Sequence, residues 1–276
     1  MTDKGRPFVP SGMPPGARDD SCTALIGNTG FVGGNLLRQQ PFDALFNSKN
    51  IEEIAGRSFD LVICAGARAE KWKANADPEA DLDNIEKLTR ALANVNATKL
   101  VLISTVDVFL NPASVDEDSP TPMTGLHAYG RNRRRLEQIV AGRFDAHIIR
   151  LAGLYGPGLK KNAIYDLLHD NDVHKIDSRG VFQFYDVTRL WADIEVAMDN
   201  ELPLVHLPPE PVSVSDVARA AFDIEFTNEV ASTVARYDIH TKHASLFGGE
   251  GQYTQTKIAE LAGISAFVAA ERRTNG

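Results

Sequence analysis

Short apolar runs alternate with stretches of helical periodicity along the chain. Continuous apolar runs predict buried strands at the segments 23–26, 61–65, 100–104 and 147–151, with a short further strand at 43–46. Apolar positions at helical spacing predict helices over 31–39, 81–97, 187–198 and 214–222. Strands that are apolar on both faces need helices on both sides. We therefore expect an α/β fold with a Rossmann-type, doubly wound parallel sheet.

The texture of the sequence changes after the strand at 147–151. Four residues that break regular structure follow it closely, namely Gly153, Gly156, Pro157 and Gly158. Short strands then mix with helices. We expect a dinucleotide-binding domain over 21–155 and a small C-terminal α/β substrate lobe over 156–276, interleaved with it. Residues 1–20, rich in Pro and Gly and without an apolar stretch, predict a disordered arm and no secretory signal.

Composition excludes several classes of partner. The chain has 276 residues, 43% of them hydrophobic and 24% charged, and no apolar run approaches the ~18 residues that span a membrane. A net charge of −8 argues against nucleic acid as a partner. The two cysteines, Cys22 and Cys64, each lie in an apolar run, which favours buried thiols in a reducing cytoplasm over a disulfide. Because no Cys/His cluster has metal-ligand spacing, we predict no catalytic metal.

A glycine-rich turn separates the first strand from the first helix, and it reads Gly27-Asn28-Thr29-Gly30-Phe31-Val32-Gly33. Glycines at such a turn let the backbone approach a pyrophosphate, and they let the helix pack closely on the strand. The helix N-terminus then faces the anion. The position of the turn favours dinucleotide binding by these seven residues over the alternative, a merely structural turn.

The Gly-x-x-Gly-x-x-Gly spacing resembles the extended short-chain dehydrogenase/reductase family, which includes nucleotide-sugar epimerases, dehydratases and deoxysugar reductases. Further motifs of the family follow in order: Ala65-Gly66-Ala67, Ser104-Thr105-Val106-Asp107-Val108-Phe109, Tyr129, and the segment 150–158. The resemblance covers roughly residues 22 to 200, and 238–248 echoes the family's substrate-domain motif more faintly. It implies that Ala65, Gly66, Ala67 and Ser104 contact the cofactor and that Thr105 is the catalytic Ser/Thr.

One letter of the catalytic helix departs from that family, because Tyr129 is followed four residues later by Arg133 instead of lysine. A phenol can deliver a proton to a carbonyl oxygen as hydride reaches the carbon, if a nearby cation lowers its pKa. We expect Tyr129 to be this acid/base, Thr105 to hydrogen-bond the same oxygen, and Arg133 to lower the tyrosine pKa and contact the nicotinamide ribose. Arginine stays protonated, so it cannot relay a proton, and we expect no lysine nearby to substitute for it. The alternatives are a catalytically inactive site and a structural role in which Arg133 is a surface charge on a solvated helix.

Cofactor specificity and sheet size depart from the family pattern as well. The stretch between the glycine turn and residue 61 is too short for two further strand-helix units, so we expect a sheet trimmed by one unit at its edge. After the strand at 43–46 the chain reads Asn47-Ser48-Lys49, without the acidic residue that binds an NAD ribose. NADP is therefore favoured over NAD, with Ser48 and Lys49 as phosphate contacts. The alternative is an exposed turn.

The substrate positions also differ. Only Asp107 is acidic where the family's dehydratases carry an acidic pair, which disfavours dehydration. Gln183 stands where many relatives use an arginine for the nucleotide diphosphate, and a neutral amide cannot replace that bidentate contact. Either a lysine does this work or the substrate is not a nucleotide sugar, and the candidates are Lys160, Lys161 and Lys242.

Two aromatic residues near the predicted site have open roles. His127 is expected either to border the site or, as is more common for a lone histidine at a helix start, to be a helix cap or surface residue. Trp72 is expected either to roof the pocket or to pack in the core.

Taken together, these patterns predict an NAD(P)-dependent oxidoreductase or epimerase that acts on a sugar-like, possibly nucleotide-linked, carbonyl or alcohol. The competing hypothesis is a catalytically inactive NAD(P)-binding regulator or partner subunit. The resemblance also implies a homodimer.

Overall fold

The computed structural model describes residues 23–275. The predicted arm at 1–20 and Cys22 lie outside the described residues. In chain order, the strands and α-helices are β1 (Thr23–Ile26), α1 (Phe31–Gln39), β2 (Ala44–Phe46), β3 (Ser58–Cys64), α2 (Lys71–Ala76), α3 (Pro78–Leu92), β4 (Asn96–Thr105), β5 (Ala113–Val115), α4 (Ala128–Ala141), β6 (Ala146–Leu151), β7 (Gly153–Tyr155), α5 (Ala163–His169), β8 (Val181–Phe182), β9 (Phe184–Asp186), α6 (Leu190–Asp199), β10 (Leu204–His206), β11 (Val212–Ser213), α7 (Val214–Phe222), β12 (Asp238–Ile239) and α8 (Lys257–Asn275).

Six parallel strands form the central sheet in the order β10-β6-β4-β3-β1-β2. Alternate residues of each strand point to opposite faces. On one face Ile26 and its neighbours pack against α3 and α4, and on the other face Leu25 and its neighbours pack against α1 and α6. The doubly wound α/β prediction is therefore confirmed.

The sheet is trimmed at the predicted edge. Within residues 23–275, β2 is the last strand on that side, and a 3₁₀ turn at Ile51–Ile54 leads from it to β3. Ile51 and Ile54 are buried beneath the sheet, so this turn covers the edge where a further strand and helix would otherwise lie.

The C-terminal part returns once to the central sheet through β10, with α6 on its face. The rest packs around a separate apolar cluster, in which Tyr155, Phe184 and Ile164 contact residues of α7 and α8. None of the helices within 23–275 combines the length and the apolarity that crossing a membrane requires.

Two predicted helix boundaries are wrong. The helix predicted at 81–97 is Pro78–Leu92, because Asp77 caps its first turn and accepts a hydrogen bond from the Ala80 N–H (3.1 Å). Residues 96–97 instead begin β4. The helix predicted from 187 starts with a 3₁₀ turn at Val187–Arg189 before α6.

Candidate functional site

The glycine turn is built around two positions that exclude any side chain. Gly27 has φ +90°, and a Cβ there would lie 2.3 Å from the Ala65 carbonyl oxygen. A Cβ on Gly33 would lie 2.1 Å from the Gly27 carbonyl oxygen. These contacts bring β1, α1 and the end of β3 together, so the close helix–strand packing expected from the glycines is present.

The same turn leaves room for an anion. Helix α1 makes its first backbone hydrogen bond from Gly34 N–H to the Gly30 carbonyl (2.8 Å), so the N–H groups of residues 31–33 stay free at its N-terminus. No acidic residue occupies its first turn. Thr29 and Gly30 are exposed, whereas Phe31 and Val32 are half-buried. The turn therefore fits a dinucleotide pyrophosphate.

The turn after β2 gathers more positive charge than the sequence suggested. Ser48 and Lys49 are exposed, and the Ser48 carbonyl accepts a hydrogen bond from Lys87 Nζ (3.3 Å). Lys87 lies on α3 and also pairs with Glu52 (3.3 Å). Sequence reasoning missed Lys87, because only the packing of α3 brings it to this turn.

Thr105 and Tyr129 come together at the carboxyl end of β4. The Thr105 hydroxyl lies close enough to the Tyr129 phenol to lower its pKa. A Cβ on Gly130 would lie 2.1 Å from the Asp107 carbonyl oxygen, so the first turn of α4 packs directly on the residues after β4. His127 caps that turn by accepting a hydrogen bond from the Gly130 N–H at Nδ1 (3.0 Å), as predicted.

Arg133 is a buried residue and not a surface charge. Only 3% of it is exposed, and its guanidinium lies 4.1 Å from the centre of the Tyr129 ring. It donates hydrogen bonds to the Asp81 carboxylate and to the Arg68 carbonyl oxygen. Its Nε has no hydrogen-bond partner. The alternative of a solvated surface charge is therefore wrong.

The net effect on the tyrosine is opposite to the prediction. Burial raises the pKa of the Tyr129 phenol, and the Arg133 guanidinium offsets this rise only in part. Arg133 lowers the pKa of Tyr129 as expected, but the net pKa is raised because the effect of burial is larger. A phenol with a raised pKa is protonated at neutral pH, which suits a proton donor.

Asp107 forms a cluster that sequence reasoning did not foresee. Its carboxylate accepts hydrogen bonds from Lys71 Nζ (2.7 Å) and from the Tyr237 hydroxyl (2.8 Å), and Lys71 Nζ lies 3.2 Å from that hydroxyl. Lys71 is close enough to Tyr129 to act on its pKa. The expectation that no lysine is available near Tyr129 is therefore wrong, because α2 supplies one.

The segment between β3 and α2 is held by cations from two other elements. Lys161 donates a hydrogen bond to the Ala69 carbonyl (2.5 Å), next to the Arg68 carbonyl that binds Arg133. Lys160 is exposed. Trp72 is 65% exposed, so its core-packing alternative is wrong. It lines a cavity of about 300 Å³ between α2 and α3.

Two of the candidate substrate residues are engaged elsewhere. Gln183 is buried, and its amide bonds the Pro209 carbonyl (2.7 Å) and both backbone groups of Ile239 (2.9 and 2.8 Å). Because both ends of its amide are used, the expectation that Gln183 contacts substrate is wrong. The side chain instead connects the start of β9 to β12. Lys242 is exposed and pairs with Asp118 (2.5 Å).

Ser104 also has a structural partner. Its hydroxyl donates to the buried Glu137 carboxylate (2.6 Å), which is bound by Arg150 through two hydrogen bonds (3.0 and 2.8 Å). The Ser104 side chain is therefore used within the protein core. Cys64 is buried as predicted, and burial raises the pKa of its thiol to about 11. Across residues 23–275, no group of three or more His, Cys, Asp or Glu is arranged to hold a metal.

No protein-family model matches this chain, and no curated protein matches its sequence. Solved structures do share its fold. The dTDP-4-dehydrorhamnose reductase of Bacillus anthracis, in complex with NADP, is 18% identical (TM-score 0.68, covering 90% of this chain and 98% of that one). The UDP-glucose 4-epimerase of Thermotoga maritima with UDP-glucose is 15% identical (0.64, 92% and 99%). The Bordetella bronchiseptica enzyme WbmG with NAD is 17% identical (0.64, 93% and 96%). The fold that the sequence resemblance implied is thus confirmed.

Proposed function

We propose that the protein is an NAD(P)-dependent oxidoreductase or epimerase that transfers hydride to or from a sugar-like carbonyl or alcohol. One observation carries this proposal. Thr105 and Tyr129 lie close together at the carboxyl ends of the parallel strands, the same edge of the sheet at which the glycine turn opens α1. Ligands of open α/β sheets bind at that edge.

The structural neighbours support the same class of chemistry. The proteins named above are a reductase, an epimerase and an enzyme solved with NAD, and two of them are described as acting on or holding nucleotide-linked sugars. We infer a sugar-like, possibly nucleotide-linked, substrate for this chain. Cytoplasmic location and a homodimer remain predictions from the sequence.

A bound nicotinamide would supply or accept the hydride. The N–H groups at the start of α1 would hold the pyrophosphate, with Ala65, Gly66 and Ala67 beside it. Tyr129 would give its proton to the substrate oxygen, and Thr105 would hold that oxygen in place. Arg133, fixed beneath the Tyr129 ring, would stabilise negative charge as it develops on the phenol.

We infer NADP over NAD from the turn after β2. The exposed hydroxyl of Ser48 and the ammonium groups of Lys49 and Lys87 form a cationic surface suited to a ribose phosphate. No acidic side chain follows β2 until Glu52, which pairs with Lys87. The positive charge of this surface favours the ribose phosphate of NADP over the unphosphorylated ribose of NAD.

The competing proposal is an NAD(P)-binding regulator or partner subunit without turnover. It is favoured by the hydrogen bonds of Arg133 to Asp81 and to the Arg68 carbonyl, which leave the guanidinium little freedom to reach a ligand. In that case the turn around Gly27 would bind a dinucleotide, whereas Tyr129 would have no role in chemistry.

The two proposals are separated by comparing the wild-type protein with Tyr129→Phe. NADPH and NADH binding would be measured by calorimetry, and oxidation of each cofactor would be followed with a panel of keto-sugar nucleotides. We expect equal cofactor affinity in both proteins and a fall of about 10²-fold or more in kcat for the variant. Thr105→Val serves as the second variant and should also lose kcat. No turnover by the wild type with any of these substrates would contradict the enzyme proposal. Equal kcat in wild type and Tyr129→Phe would contradict the role of the tyrosine, and absent dinucleotide binding would contradict both proposals.

A further inference from the structure

A titratable cation lies near the first turn of α4, which carries the candidate catalytic tyrosine, on an element far from it in the sequence. Lys71 begins α2, and its Nζ lies 2.7 Å from the Asp107 carboxylate and 3.2 Å from the Tyr237 hydroxyl. The Asp107 N–H donates to the Thr105 hydroxyl oxygen (3.1 Å). One ammonium group is thereby tied to the segment that carries the threonine of the candidate site.

The same segment is packed against the tyrosine. The Asp107 carbonyl oxygen occupies the space that a Cβ on Gly130 would need, at 2.1 Å. Since Gly130 follows Tyr129 directly, Lys71, Asp107 and the start of α4 form one compact group. Tyr237 closes this group from the C-terminal part of the chain, immediately before β12.

Arg133 cannot perform proton transfer in this group. Its guanidinium stays protonated in proteins, and two of its nitrogens are held by Asp81 and the Arg68 carbonyl. A phenol that gives up a proton in each turnover must receive one back. The residue that returns it needs an exchangeable proton, a position beside the phenol and a path to solvent.

We propose that Lys71 is the proton donor that restores Tyr129 after each turnover, in place of the arginine that its own helix carries at position 133. This inference rests on the function proposed above. The Lys71 side chain is 39% exposed, so its ammonium exchanges protons with water while it contacts the Asp107 carboxylate, whose side chain is 18% exposed.

The proton balance of the reduction is complete. A bound reduced nicotinamide would supply the hydride for the new C–H bond, and the Tyr129 O–H would break as its proton goes to the carbonyl oxygen. The resulting phenolate would take up the proton that the Lys71 ammonium gives up. The neutral amine then takes one proton from water. Asp107 stays ionised and holds Lys71 in place.

The charges that face Lys71 come from three directions. Asp107 faces it from the turn after β4, Tyr237 from the segment before β12, and Tyr129 and His127 from α4. Burial lowers the pKa of Lys71, but Asp107 and Tyr237 outweigh it and raise the pKa above its ordinary value. Lys71 is therefore a protonated donor at neutral pH. Lys71 in turn lowers the pKa of Tyr129.

Three variants of the full chain test this role. Lys71→Arg keeps the charge and the contact with Asp107 but cannot give up a proton. Lys71→Ala removes both and creates space for a small amine. Lys73→Met, on the same short helix with an exposed side chain paired to Glu70, is the matched control. Each would be assayed for cofactor affinity, kcat and KM over a range of pH, with and without added propylammonium.

We expect both Lys71 variants to bind NADPH like the wild type and to lose about 10²-fold in kcat with little change in KM. Propylammonium should restore part of the kcat of Lys71→Ala, and its effect should fall at high pH as the amine loses its proton. Lys73→Met should match the wild type. Rescue by an added amine is a result that a merely structural role would not give.

Three outcomes overturn the inference. Wild-type kcat in Lys71→Arg, with an unchanged pH profile, would show that no proton passes through Lys71 even though the enzyme works. Loss of kcat in Lys71→Ala without any rescue, combined with normal kcat in Lys71→Arg, would reduce Lys71 to a structural cation. A wild-type protein that turns over no carbonyl would remove the proposed function and this inference with it.

Discussion

Removing the Asp81 carboxylate should destabilise the fold more than a substitution at the protein surface does. Arg133 and Asp81 are 3% and 6% exposed at their side chains, and Asp81 also accepts a hydrogen bond from Asn132 (2.8 Å). Replacing one member of such a pair leaves the other as an uncompensated buried charge. This typically costs about 3–5 kcal/mol. For a chain of this size, that corresponds to a fall of roughly 6–20 °C in Tm.

The assay is a double-mutant cycle of Asp81→Leu, Arg133→Met and the two together, followed by urea unfolding and far-UV circular dichroism. Each single variant should lose about 3–5 kcal/mol. The double variant should lose far less than the sum, because no charge is then buried, although the Asn132 amide loses its acceptor at a cost of about 1–3 kcal/mol. Additive losses, or a loss below about 1 kcal/mol for Asp81→Leu, would refute the buried pair.

Further predictions concern the glycine turn, the last helix and the charge after β2. Gly33→Ala should abolish dinucleotide binding and destabilise the fold, because its Cβ would lie 2.1 Å from a backbone oxygen. Gly34→Ala should instead stabilise the fold by about 0.5–1 kcal/mol, because the nearest atom to its Cβ, the Asn28 carbonyl oxygen, would lie 3.9 Å away. Calorimetry and thermal melts check both variants. Burial raises the pKa of Glu260 to about 9. Because the pKa of this carboxyl is lower in the unfolded chain, the wild type should lose stability as the pH rises from about 4.5 to 9. Urea titrations should therefore find Glu260→Gln more stable than the wild type at pH 8 and equal to it below pH 4.5. A stability difference that stays constant with pH would contradict this. Lys87→Met should weaken NADPH binding several-fold and leave NADH binding unchanged, and an equal loss for both cofactors would argue against a phosphate contact.

The central sheet was predictable because its strands are apolar on both faces. That pattern is typical of a sheet covered by helices on both sides. The start of β4 was not predictable from the sequence. Asn96 and Lys99 are polar and exposed or half-buried, so the first part of this strand lacks the apolar pattern from which strands are identified. The helix before it was extended too far for the same reason.

The pairing of Thr105 with Tyr129 was predictable from motif order, because the ends of parallel strands meet at one edge of the sheet. Lys71 was not. It lies in the charged segment Glu70-Lys71-Trp72-Lys73, which is typical of an exposed helix, and only the packing of α2 beside the first turn of α4 brings it to Asp107. The burial of Arg133 was also hidden, since its partner Asp81 comes from α3.

A crystal structure of the protein in complex with NADPH would show directly whether the cofactor lies beside the candidate catalytic residues, and it needs no knowledge of the substrate. We expect a pyrophosphate against the N–H groups at the start of α1 and a nicotinamide ring beside Thr105 and Tyr129. A dinucleotide bound with its nicotinamide away from Tyr129, or a protein that takes up no dinucleotide at saturating NADPH, would contradict this expectation.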